Sequence, residues 1–218
     1  MSLYRLPLMD LITGFSILLI FLSCEGKIDK KPQNTDNNIL KNDSSMITVK
    51  NFVFNDFQEN TYLLYDETGE CVIIDCGCLY KQEEQTIQNF IVENNLKPVL
   101  MLNTHCHIDH VMGNTFFKNT FNVNYLIHED DGFLIDSAVS HGATFGFEVG
   151  QPPAADQFLN EGDTVRFGNS ELLVFHVPGH SPGSIVFYNK KQQFVIVGDV
   201  LFAGSIGRTD LPGGNMDT

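Results

Sequence analysis

The chain has 218 residues, of which 43% are hydrophobic, and this is enough to bury one core, so a single globular domain is expected. Its formal net charge is −14, and residues 46–218 carry the whole excess, with 8 basic and 22 acidic side chains. So acidic a domain repels phosphate backbones, which excludes nucleic acid as an expected partner.

The first 45 residues differ in composition from the rest. Residues 1–24 contain the apolar run LITGFSILLIFLSC and end at Cys24, which resembles a bacterial lipoprotein signal with a lipidated cysteine. The run is shorter than the roughly 20 apolar residues of a spanning helix. Residues 25–45 are polar and lack apolar periodicity, so they predict a flexible tether. A membrane-anchored lipoprotein is expected if Cys24 is lipidated, and a cytoplasmic protein if the true start is Met46.

The first half of the domain, residues 46–218, alternates short strands with helices. The runs with strand-like apolar patterns are, in chain order, 46–54, 60–66, 71–77, 98–104 and 124–128. Helices are predicted within 81–95, where Ile87, Phe90 and Ile91 share a face, near 114–121, and over 129–139.

The second half predicts two hairpins. One covers residues 164–177 and turns at Gly168–Asn169, and the other covers 184–199 and turns at its lysines. Strands that alternate with helices and then continue as hairpins indicate a mixed α/β fold.

The segment NTHCHIDHVMGN, residues 103–114, gathers three histidines and an aspartate within six positions. His105 and His107 lie two apart, so in an extended backbone both imidazoles emerge on one side and can reach one cation. Asp109 and His110 point in other directions and suit a second cation. Zinc binds imidazole nitrogen and carboxylate oxygen. The cluster follows a predicted buried strand, at the end of the sheet where α/β proteins place their sites.

Three motifs together resemble the metallo-β-lactamase superfamily: HCHIDH, VPGHSPGS at 177–184, and VIVGDVLFAGSIGRTDLPGG at 195–214. The resemblance covers Met46 to the end of the chain. Within the superfamily, GRTDLPGG is similar to the short glyoxalase II-like enzymes related to hydroxyacylglutathione hydrolase. The resemblance implies an αββα sandwich of two mixed sheets with outer helices.

The resemblance also implies a set of metal ligands. Three residues would bind the first metal: His105, His107 and His180. Asp109 and His110 would bind the second metal, and Asp199 would bridge both. His180 and Asp199 each follow an apolar run and lie beside a glycine, which agrees with this assignment. The implied cofactors are two zinc ions in the complete protein, with iron or manganese as alternatives.

The implied activity is hydrolysis of thioesters such as hydroxyacylglutathione by a metal-bound hydroxide that is hydrogen-bonded to Asp109, the expected catalytic residue. Two alternatives remain. One is a persulfide dioxygenase-like oxidoreductase with a single iron on two histidines and a carboxylate. The other is a truncated metal-binding domain without activity.

The chain departs from the family pattern after Asp199, because no further PGH-like segment supplies a last histidine for the second metal. A C-terminally truncated domain that lacks its last strand and helix is therefore expected.

Several other residues are expected to have structural or supporting roles. The four cysteines of the domain are predicted to be small buried residues: Cys71, Cys76, Cys78 and Cys106. Arg208 and Asp210 are predicted to form an ion pair at the rim of the site. Asp75 either orients a ligand histidine or caps a turn. Structural or surface roles are expected for the three remaining histidines: His128, His141 and His176.

Overall fold

Two β-sheets pack face to face in the computed structural model, which describes residues 45–218. The first sheet has six strands in chain order: β1 (Thr48–Phe54), β2 (Glu59–Tyr65), β3 (Glu70–Ile74), β4 (Lys97–Leu102), β5 (Asn124–Ile127) and β6 (Gln157–Phe158). Strands β1 to β3 are antiparallel and β3 to β6 are parallel, so this sheet is mixed.

The second sheet has four strands in the order β10-β9-β8-β7: β7 (Thr164–Phe167), β8 (Ser170–His176), β9 (Ile185–Asn189) and β10 (Phe194–Ile196). A short separate hairpin follows, formed by β11 (Leu201–Phe202) and β12 (Ser205–Ile206). The expectation that both sheets are mixed is wrong for the second sheet, in which every pairing is antiparallel. The reason is that its strands are linked by short connections, the longest being residues 177–184, whereas a parallel crossover needs about a dozen residues or more.

The helices of the described residues all lie before residue 145: α1 (Lys81–Glu93), α2 (Ile108–Val111), α3 (Asn114–Phe121) and α4 (Gly132–Thr144), the last of which follows a 3₁₀ turn at Glu129–Asp131. Alternate residues of β2 separate two cores. Leu63 belongs to the core that the first sheet shares with the helices. Tyr62 and Leu64 face the second sheet.

The mixed α/β fold is confirmed, but within residues 45–218 the helical core forms on one side of the sandwich only. The other outer surface is open, and Phe175 of β8 is 40% exposed there. None of the described helices has the length and apolar character needed to span a bilayer. The predicted lipoprotein signal and nearly all of the predicted tether fall in residues 1–44, which lie outside the described part of the chain.

Most predicted elements lie close to their observed bounds. The helix expected near 114–121 is α3. The predicted shared face of α1 packs on the core, with Ile87 and Ile91 buried and Phe90 partly buried beside them. The helix expected over 129–139 begins as a 3₁₀ turn and continues as α4 to Thr144. Both predicted hairpins form. The single-turn helix α2 was not predicted.

Candidate metal centre

The site lies where β3 and β4 end side by side. Asp75 follows β3 with a left-handed backbone, φ +56°, which aspartate tolerates better than most residues. Its carboxylate accepts hydrogen bonds from the Thr104 N–H and the Thr104 hydroxyl, both at 2.7 Å, and from the Asn103 side-chain amide at 3.1 Å. These contacts fix the start of the loop that carries His105 and His107.

Three imidazole nitrogens meet at one point. The Nε2 atom of His180 lies 2.8 Å from Nδ1 of His107 and 3.1 Å from Nε2 of His105. The Nδ1 atom of His180 lies 2.7 Å from the Arg208 carbonyl oxygen. Because a carbonyl oxygen only accepts, Nδ1 carries the proton and Nε2 presents a lone pair to the other two rings.

This geometry suits a metal ion. Ligand nitrogens about 2.0–2.1 Å from a tetrahedral zinc are separated from one another by roughly 3.3 Å. The observed spacing is close to that value, and all three rings are buried. Burial, together with the neighbouring histidines, lowers the pKa of His105 well below its usual range and that of His107 to about 3. Both rings are therefore neutral at physiological pH, which is the form that binds metal.

A second group lies beside the first. His110 and Asp109 belong to α2, and Nε2 of His110 lies 3.6 Å from Oδ2 of Asp109. Asp199 lies between the groups, with Oδ1 3.4 Å from Nε2 of His110 and Oδ2 3.6 Å from Nε2 of His180. All six residues predicted from the sequence are therefore brought together, with the Asp199 carboxylate between the two groups.

In the second group, His110 and the carboxylates beside it shift one another's pKa values toward the charged forms. Burial would raise the pKa of Asp199, but His110 outweighs it and the net pKa is lowered. Burial would likewise lower the pKa of His110, yet Asp109, Asp199 and Asp75 raise it well above its usual range. A positive charge is therefore favoured at this position.

Two buried carboxyl groups lie behind His110, and the sequence reasoning missed one of them. Nδ1 of His110 is 3.2 Å from Oδ2 of Asp75 and 3.7 Å from Oε1 of Glu59. Glu59 comes from β2, and burial raises its pKa well above the usual range. Within the described residues, Oε1 of Glu59 and Nδ1 of His110 have no hydrogen-bond partner. Nothing in the local sequence around Glu59 indicated that it would approach the histidines.

Asp131 is a second residue that the sequence did not reveal. Its Oδ1 accepts from the Gly183 N–H at 2.6 Å, and its Oδ2 accepts from the Cys106 N–H and the Ser181 hydroxyl, both at 2.9 Å. It lies at the end of the 3₁₀ turn after β5 and is fully buried. The sequence does not distinguish Asp131 from the other two acidic residues of the EDD segment, residues 129–131, and only its contacts identify it.

Close backbone approach at Asp199 requires glycine on both sides of the site. Gly198 has φ +50°, and a Cβ there would lie 2.1 Å from Oγ1 of Thr104. A Cβ on Gly207 would lie 1.8 Å from the carbonyl oxygen of Asp199. Both glycines let the chain fold tightly around this aspartate.

A cavity of about 360 Å³ opens beside the candidate metal ligands and is bounded by Asp109, His180 and Asp199 on one side. His141 also lines it, although a structural or surface role was expected for that residue. Arg208 lines the rim and pairs with Asp210 at 2.7 Å, which confirms the predicted ion pair.

The remaining expectations concern residues next to the site. Cys106 points away from its histidine neighbours, with Sγ 3.9 Å from the Tyr125 hydroxyl, and all four cysteines of the domain are buried free thiols, as predicted. His128 and His176 stack with ring centroids 4.0 Å apart. Nε2 of His176 lies 2.8 Å from the Pro182 carbonyl oxygen, which supports the loop that follows His180.

Known proteins share this fold and sequence. The chain is 35% identical over 164 residues to hydroxyacylglutathione hydrolase GloC from Haemophilus influenzae, covering 74% of this chain and 76% of the relative. The crystal structure of the BLEG-1 B3 metallo-beta-lactamase is 32% identical, with a TM-score of 0.71 and coverage of 78% and 80%. That of TTHA1623 in a di-iron-bound form is 33% identical, with a TM-score of 0.68 and coverage of 78% and 81%.

The family itself follows from a match over most of the domain. Residues 54–218 match the sequence profile of the metallo-beta-lactamase superfamily. The resemblance drawn from the three motifs is thus confirmed, and the chain belongs to the metallo-beta-lactamase superfamily.

Proposed function

We propose that this protein is a metal-dependent hydrolase of thioesters. The observation that carries the proposal is the meeting of three imidazole nitrogens, 2.8 and 3.1 Å apart, beside a cavity that also receives two carboxylates. Such a donor set binds a metal, and the open cavity next to it leaves room for water and substrate. The name of the GloC relative supports a glutathione thioester as the first substrate to test.

In this proposal three histidines would hold one metal ion: His105, His107 and His180. Asp109 and His110 would hold a second ion, and the Asp199 carboxylate, which lies between the two groups of side chains, would be available to either ion. Zinc is the proposed metal, because buried neutral imidazoles and carboxylates are its usual ligands. Iron is the alternative to test, since TTHA1623 has been crystallised with two iron ions.

A divalent metal bound here would lower the pKa of a water molecule and polarise the carbonyl group of the substrate. The protein supplies the rest. Asp109 lines the cavity, so its carboxylate can accept a hydrogen bond from the attacking water and orient it. The Arg208 carbonyl oxygen lies 2.7 Å from Nδ1 of His180 and orients that ring, and the Asp75 carboxylate lies 3.2 Å from Nδ1 of His110. In the overall reaction water adds to the carbonyl carbon, the C–S bond breaks, and the products are a carboxylate, a thiol and a proton.

The test begins with the purified chain, stripped of metal and reloaded with zinc or with ferrous iron. We expect the loaded protein to hydrolyse S-lactoylglutathione, and the double variant His105→Ala/His107→Ala to lose both metal and activity. Lys190→Ala, in the exposed turn between β9 and β10, is the matched control and should keep both.

Three results would contradict the proposal. Equal metal content in the double variant and the parent would show that the ligands are misassigned. Metal binding without turnover would support a binding domain without activity. Oxygen consumption with glutathione persulfide by the iron-loaded chain, in the absence of thioester hydrolysis, would support the persulfide dioxygenase alternative.

A further inference from the structure

We propose that the cavity beside the metal centre binds the acyl group of the substrate and selects thioesters whose acyl group is apolar or aromatic. The inference rests on the proposed thioester hydrolysis and deepens it. It is carried by the walls of the cavity, whose volume of about 360 Å³ lies at the small end of the range of roughly 300–1,000 Å³ for ligand sites.

Apolar side chains from separate parts of the chain form these walls. Phe57 comes from the turn between β1 and β2, Phe145 from the end of α4, and Leu211 from the segment after Arg208. The rings of Phe57 and Phe145 meet edge to face with centroids 5.7 Å apart. They are nevertheless 42% and 53% exposed, so an apolar occupant would remove further surface of both rings from water.

Phe57 is fixed relative to the metal ligands. The side-chain amide of Asn55 donates hydrogen bonds to the backbone carbonyls of Asp109 and Gly77, both at 2.9 Å. The Asn55 side-chain oxygen accepts from the Phe57 N–H at 2.9 Å. The turn that carries Phe57 is therefore tied directly to the backbone of a proposed ligand. Because the wall is anchored in this way, it can discriminate between acyl groups instead of yielding to each one.

The polar groups of the cavity argue against a charged occupant. Among the described lining residues, His141 and Arg208 are the only basic side chains outside the proposed ligand set. Arg208 is already engaged, because its guanidinium makes two hydrogen bonds to Asp210, at 2.7 and 2.8 Å. The two carboxylates of a glutathione carrier would find poor partners here, so the polar thiol carrier is assigned to the solvent side and the acyl group to the cavity.

The test uses thioesters of one small thiol, N-acetylcysteamine, with acetyl, butyryl and hexanoyl groups and the zinc-loaded full chain. Burial of each added methylene should raise kcat/KM about fourfold until the cavity is filled. Phe57→Ala and Phe145→Ala should each lower the hexanoyl-to-acetyl ratio of kcat/KM about tenfold at unchanged metal content. Phe175→Ala, an equally exposed ring on the open face of the second sheet, should keep the parental ratio.

The outcomes separate the two proposals. If the parent hydrolyses acetyl and hexanoyl thioesters with equal kcat/KM, or if both phenylalanine variants keep the parental ratio, the selection by the cavity is overturned while thioester hydrolysis stands. If the loaded parent hydrolyses no thioester, both proposals fall. Phe57→Leu, which keeps an apolar wall, should retain most of the ratio. If Phe57→Ala does not fold, Phe145→Ala decides alone, and a parental ratio in that variant overturns the selection.

Discussion

The Asp131 carboxylate accepts a hydrogen bond from the Cys106 N–H, 2.9 Å away, and so holds the backbone between His105 and His107. The same carboxylate accepts from the Ser181 hydroxyl, directly after His180. One buried side chain therefore joins the two loops that carry the three histidines. Since Nε2 of His180 lies within 3.1 Å of a nitrogen of each of the other two histidines, small shifts of either loop would separate them.

The first prediction is that Asp131→Asn weakens metal binding about 10- to 100-fold, because supporting contacts orient metal ligands. An asparagine must turn its NH₂ group toward the N–H of Cys106 or that of Gly183, and neither can accept a hydrogen bond. We also expect the free energy of unfolding to fall by about 1–3 kcal/mol. Competition with a chromophoric chelator, well below the melting temperature, measures the first effect.

Glu129→Gln is the matched control for Asp131→Asn, because Glu129 is two residues away and exposed. It should leave metal affinity unchanged. Parental metal affinity in Asp131→Asn would show that the histidine loops hold their positions without the carboxylate.

The sequence was sufficient to predict the fold where one local pattern determines an element. Alternating apolar residues predicted β8, and the glycine with a left-handed backbone at Gly168 predicted its hairpin with β7. The layer arrangement depends on contacts between distant segments, so the antiparallel second sheet was assigned wrongly from the resemblance. A single turn such as α2 is too short to show helical periodicity.

In the candidate site, too, the sequence predicted the residues that share one local motif and missed those that tertiary packing brings in. The spacing of His105 and His107 was informative because both side chains leave one short segment. Glu59, Asp131 and His141 reach the site from β2, from a 3₁₀ turn and from α4, and each has an unremarkable local sequence. Their roles depend on tertiary packing, which no local motif encodes.

The second prediction concerns Asp75→Asn. Asparagine also tolerates the left-handed backbone at this position, so the turn should be retained while the negative charge beside His110 is lost. We expect affinity for the metal near His110 to fall about 10- to 100-fold, and that of the three-histidine group to fall less. Stepwise metal titration followed by calorimetry separates the two. Asp136→Asn, an exposed change in α4, is the control, and equal titration curves for the two variants would contradict the prediction.

The third prediction is that two buried cysteines, Cys71 and Cys106, resist alkylation in the folded protein. Burial raises the pKa of Cys71 to about 12 and that of Cys106 well above its usual range, so the reactive thiolate is rare. Peptide mass spectrometry after brief treatment with iodoacetamide at mildly alkaline pH should find both thiols unmodified, and both modified after denaturation. Rapid labelling of either one in the native chain would show that the core opens readily.

The last prediction concerns Asp66, whose side chain joins the two sheets. Its carboxylate accepts from the Asn169 N–H at 2.7 Å and from the Ser170 hydroxyl at 2.8 Å, both in or beside the turn between β7 and β8. Burial alone would raise its pKa, but hydrogen bonds from Thr68, Ser170 and Asn169 lower it below the ordinary value of 3.8.

A folded-state pKa below the unfolded one stabilises the protein above the unfolded pKa, and this contribution is lost as the pH falls through the folded pKa. Asp66→Asn should therefore lower the free energy of unfolding by about 1–3 kcal/mol at neutral pH. The difference from the parent should shrink as the pH falls below about 4, where the parental carboxyl group also becomes protonated. Urea unfolding across this pH range measures it. Glu67→Gln is the control, because Glu67 is an exposed neighbour whose carboxylate also contacts Asn169, and it should lower the free energy of unfolding by less. If the difference in stability between Asp66→Asn and the parent does not change with pH, the charge of Asp66 contributes nothing.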